Sequence, residues 1–133
     1  MNKFVAILSV LLCISGTSCA QSTPPIDVSG LTEASMNFDQ EGVGPFLTGL
    51  SRSFGSGLDA RQAEELSQAI ASLPTEQRGH WEYTVTVNGK PERLVVVAFK
   101  DDVDAPDLAF YGSPELAAQI QRQLDTFAKA QGW

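Results

Sequence analysis

The tightest constraint on this chain is a dipeptide, Asn88-Gly89, set between two runs that are built to be strands. Both residues accept positive φ at little cost, which is what the centre of a tight hairpin turn demands. Upstream, His80 to Val87 alternates with a period of two: Trp81, Tyr83, Val85 and Val87 fall on one side, His80, Glu82, Thr84 and Thr86 on the other. Downstream, Arg93 to Lys100 is the returning strand, and its run Leu94-Val95-Val96-Val97-Ala98-Phe99 is apolar on both sides, as suits a central position. A two-residue turn also fixes register. Val87 should face Lys90, Val85 should face Glu92, Tyr83 should face Leu94, and Trp81 should face Val96. The inward face is then Trp81, Tyr83, Val85, Leu94, Val96 and Ala98.

The outward face of the same hairpin sets His80, Glu82, Thr84 and Thr86 beside Arg93, Val95, Val97 and Phe99. Glu82 lies diagonal to Arg93, within pairing reach. So mixed a surface is either covered by the chain's own Phe46 to Phe54 segment, which is the expectation here, or left open as a recognition face.

Helices flank the hairpin. Asp59 is a good N-cap, Gln62 completes a capping box, and Ala63, Leu66, Ile70 and Leu73 form one stripe before Pro74, which predicts a helix over Ala60 to Leu73. Leu108 to Tyr111 is expected as a short third strand. Ser113-Pro114-Glu115 then offers a hydroxyl cap, a proline at the first helical position and an acid at the positive helix end. Leu116, Ile120, Leu124 and Phe127 give that helix its buried stripe, and Gly132 ends it. Between Leu31 and Gly57 the spacing of Phe46, Leu47, Leu50 and Phe54 is helical, but Gly42, Gly44 and Gly49 weaken any long helix, so one or two short turns are expected. The reading is one α+β domain over residues 31–133: a three-stranded antiparallel meander with two helices packed on one face, in the order α-β-β-β-α.

The N-terminus carries an address. Met1-Asn2-Lys3 is a positive start, Phe4 to Ser15 is almost continuously apolar, and Gly16 to Ala20 is a run of small residues, which together resemble a secretory signal peptide over residues 1–20. Ser15-Gly16-Thr17-Ser18-Cys19 also resembles a bacterial lipoprotein box, which would end the signal at residue 18 and make Cys19 the lipidated first residue. Gly16 departs from that pattern, which prefers Leu there. Residues 21–30 read as a flexible tether. The expected location is the periplasm, either free or held at the outer membrane through Cys19.

With Cys13 and Cys19 assigned to the leader, the domain is expected to contain no disulfide, thiol chemistry or cysteine metal site. The formal charge of the whole chain is −7 and the pI about 4.5. That argues against nucleic acid and against anionic lipid, and favours a basic protein partner. Asp101, Asp102 and Asp104 concentrate the charge in a loop that runs to Asp107, read as a turn or an acidic patch. It lacks the glycine and late glutamate of a calcium loop in register.

No nucleophile elbow or phosphate loop is present, and His80 is the only histidine. No catalytic residues, metal site or cofactor are therefore assigned. The favoured function is a non-enzymatic protein-binding module of the envelope, of the inhibitor or immunity kind, with binding residues His80, Glu82, Arg93, Val95, Val97, Asp101, Asp102 and Asp104. The alternatives are a small periplasmic hydrolase using His80 with Glu82, and a structural lipoprotein anchored through Cys19.

Overall fold

A computed structural model describes residues 26–133 with the exception of Val103. The leader, Cys13, Cys19 and the first half of the tether lie outside the described residues.

The Asn88-Gly89 turn joins β2 (Arg78–Val87) to β3 (Lys90–Asp102) in the register that the dipeptide dictates: Val87 opposite Lys90, Tyr83 opposite Leu94, Trp81 opposite Val96. Asn88 takes φ 53° and Gly89 φ 79°. β4 (Ala105–Gly112) returns along β3, and β1 (Thr32–Asn37) pairs with β4, all antiparallel, giving the four-stranded order β1-β4-β3-β2. The helices are α1 (Gln40–Ser51), α2 (Ala60–Ala71) and α3 (Pro114–Gln131).

The fold is α+β, but the expected α-β-β-β-α order is too short at its beginning: among the described residues β1 and α1 precede α2, which makes the sheet four-stranded and the helices three. β1 escapes a periodicity search because it is an edge strand in which Ala34 alone is fully buried and Met36 half so. α1 is a helix of 12 residues where only short turns were expected, despite three glycines and an internal Pro45 that withholds an N–H. Burial overrides propensity there: Val43, Phe46, Leu47 and Leu50 are all inside the core. The aspartate loop is also shorter than expected, because β3 continues to Asp102 and β4 already begins at Ala105.

Helix ends follow their caps. Asp59 accepts from the Gln62 N–H at 2.8 Å while the Asp59 N–H donates back to Gln62 Oε1 at 2.9 Å. Ser113 Oγ accepts from the Leu116 N–H at 3.1 Å, and Gly132 closes α3 in the left-handed conformation at φ 80°.

All three helices pack on one face of the sheet. Val85, Leu94, Val96, Ala98, Leu108 and Phe110 from the strands meet Leu47, Leu50, Leu66, Ile70, Ile120 and Leu124 from the helices, every one fully buried. An aromatic group closes the α1–α3 end: Phe46 lies 5.8 Å from Phe110 and 5.5 Å from Phe127, and the terminal Trp133, 45% exposed, sets its ring on edge to Phe127. Among the described residues Lys100 is the one cation in this interior, and its Nζ donates to the Ala71 carbonyl at the end of α2 at 2.7 Å.

Candidate functional site

Because strand side chains alternate, the face opposite the helices collects His80, Glu82 and Thr84 from β2, Arg93, Val95, Val97 and Phe99 from β3, and Asp107, Ala109 and Tyr111 from β4. The expected cover by the Phe46 to Phe54 segment does not occur. Phe46, Leu47, Leu50 and Phe54 are all committed to the core under the other face, and α1 lies there with them. Among the described residues no helix crosses the outward face.

That face holds a groove of about 500 Å³. Val97 and Phe99 lie along its floor, Arg78 and His80 stand on the β2 side, and Glu33 and Asp107 on the β1–β4 side. The Arg78 guanidinium lies 5.5 Å from the centre of the Phe99 ring, a cation–π contact that keeps the cation at the groove wall. Asn37 donates to Asp107 Oδ1 at 2.8 Å and to the Ala105 carbonyl at 3.0 Å, which fixes the acidic side. Burial, with the Glu33 carboxylate beside it, pushes the Tyr111 hydroxyl above its ordinary range.

The two ends of the face differ. Towards the hairpin turn, Arg93 Nε donates to Glu82 Oε2 at 2.7 Å and Nη2 to Oε1 at 3.3 Å. The Arg93 hydrogen bond holds the Glu82 carboxyl below the usual carboxylate range, and the same bond raises Arg93. Val95 stands opposite Glu82 on one side and Tyr111 on the other, and it is fully buried although no helix among the described residues reaches it. At the far end, beyond Phe99, the β3–β4 turn presents exposed Asp101 and Asp104.

The structure thus gathers His80, Glu82, Arg93, Val95 and Val97 on one face and puts the acidic turn at the end of that face. Ile26 and Val28, expected within a flexible tether, are both half-buried and line the groove. Asp27 between them accepts from the Ser29 N–H at 2.9 Å, which lowers its carboxyl further than the nearby Arg93 does. Arg78 was missed because Gly79 interrupts the alternation one step before His80. Glu33 and Asp107 were missed with β1 and with the full length of β4.

Among the described residues no three His, Cys, Asp or Glu side chains come together to hold a metal ion, and no helix is long and apolar enough to cross a membrane. No protein-family model, curated protein or solved structure matches this chain.

Proposed function

We propose that this chain is an exported, non-enzymatic binding protein of the bacterial envelope, of the inhibitor or immunity kind, and that it holds a basic protein partner against the outward sheet face. The observation that carries the reading is the open face itself. Among the described residues all three helices lie on one side, and the other side offers a groove with an apolar floor and an acidic wall. Such surfaces suit a partner segment that brings both apolar and cationic side chains. The net charge of −7 extends the same preference over the molecule. Export rests on the composition of residues 1–20.

Hydrolysis by His80 with Glu82 is the weaker alternative. A carboxylate that orients or relieves a histidine has to be free to face it, whereas both oxygens of Glu82 accept from Arg93.

The test starts from a partner recovered from envelope extract, identified by mass, purified and titrated against the chain. Val97→Asp at the floor, and Asp101→Lys with Asp104→Lys at the end, should each weaken binding by about tenfold or more, a change of about 1.4 kcal/mol. Glu64→Lys on the exposed side of α2 should leave it unchanged. Equal affinity across all of these chains would remove the outward face from the account.

A further inference from the structure

β2 is an edge strand, and the cover on its outer edge is partial. Thr86, in a non-hydrogen-bonded pair with Pro91, turns its main-chain groups outward: its N–H donates to the Ser56 carbonyl at 2.9 Å and its carbonyl accepts from the Gly55 N–H at 2.8 Å. Main-chain direction alternates along a strand, so the N–H and carbonyl groups of Thr84, Glu82, His80 and Arg78 face outward as well. The same loop closes over Thr84. Gly57 sits at φ +100°, where a Cβ would fall 1.9 Å from the Thr84 carbonyl oxygen, so the approach requires glycine. Cover ends at that point. Among the described residues, Glu82, His80 and Arg78 receive no main-chain bond from any segment beyond the β2–β3 ladder.

A bare edge is a template for another strand. We propose that a second copy of this chain fills it: β2 pairs antiparallel with β2 of the second copy about a two-fold axis at His80, joining two four-stranded sheets into one.

Charge selects both the occupant and the register. With the axis at His80, Arg78 of each copy stands opposite Glu82 of the other, the opposite-charge pairing that stabilises antiparallel neighbours. Moving the axis to Arg78 or to Glu82 sets like charges face to face. An axis at Gly79 brings Glu82 against Glu76, a second acid. An axis at Trp81 calls on Thr84, which the Gly57 loop already occupies. Both partners have room: Glu82 is 45% exposed at its side chain even with Arg93 bound, and Arg78 is exposed beside Phe99. The other edge offers no such match. On β1 the Phe38 N–H donates to the Pro106 carbonyl, so Glu33, Ser35 and Asn37 face outward, and no cation stands among them for Glu33 to meet.

Sedimentation equilibrium of the purified protein across a wide concentration range at low salt reads the association directly. The wild type should form a dimer and no larger species. Arg78→Glu should weaken dimerisation by about tenfold or more, and adding Glu82→Arg to it should restore the dimer, since the reversed charges again face each other. His80→Pro should abolish the dimer while leaving the melting of the dilute, monomeric protein unchanged, because its N–H is unused within one copy. Amide exchange at Arg78, His80 and Glu82 should slow as concentration rises, while that at Ser35 and Asn37 should not. A wild type that stays monomeric at every concentration, including the case in which a different protein's strand takes this edge, overturns the proposal. So does a dimer that ignores both Arg78→Glu and His80→Pro.

Discussion

Along β3 the side chains of Leu94, Val96, Ala98 and Lys100 point into the helical layer, whereas those of Arg93, Val95, Val97 and Phe99 point away from it. The inward set is fully buried and apolar except for Lys100, whose Nζ donates to a carbonyl at the end of α2. The outward set mixes a salt bridge, a cation–π contact and a groove floor. One strand therefore meets two different demands. Inward, each side chain must fill space; outward, it can be chosen for what it meets.

Variants that cross this division should differ most at the centre of the sheet. Phe110 is fully buried against Phe46, and Phe110→Ala should cost about 3–5 kcal/mol in urea unfolding. Its sequence neighbour Tyr111 faces outward and half-buried, and Tyr111→Ala should cost well under half as much. If the two variants unfolded alike, the assignment of faces would be wrong.

A smaller effect is expected at Lys100. Lys100→Ala removes a charged donor and leaves the Ala71 carbonyl without it, a loss of about 2 kcal/mol that thermal melting would detect. An unchanged melting temperature would mean that water reaches this carbonyl and that the helical layer is less closed than described.

The smallest effect belongs to the outward ion pair. Glu82 has its carboxyl lowered by the Arg93 bond, so its stabilising contribution is complete above the ordinary glutamate range and is lost as the pH falls through the lowered one. Stability measured against Glu82→Gln should therefore favour the wild type at neutral pH and converge with it in acid. Added salt should shrink the gap, since the pair is exposed. A gap that widens on acidification contradicts the pairing.

The parts of this division that the sequence announces are those where one local rule acts without competition. Asn88-Gly89 and a period of two determine which residues of β2 and β3 share a face, and that alone places His80, Glu82, Arg93, Val95 and Val97 together. The capping box at Asp59 and the Ser113-Pro114 start locate α2 and α3 in the same way. β1 and α1 obey tertiary packing instead. Thr32–Asn37 forms because β4 needs a neighbour, and α1 tolerates Gly42, Gly44, Gly49 and Pro45 because its apolar side chains enter the core. The groove inherits that limit. Its acidic wall comes from β1 and the start of β4, and its lining by Ile26 and Val28 comes from a segment whose composition suggests only a tether.

Val96 and Val97 are adjacent, chemically identical and on opposite faces, so truncating each to alanine compares the two faces with nothing else changed. Val96, fully buried beneath the helices, should lose about 2 kcal/mol or more in equilibrium urea unfolding, and Val97, on the groove floor, less than about 1. Equal losses, or a larger one at Val97, would contradict the claim that the helices close one face and leave the other open.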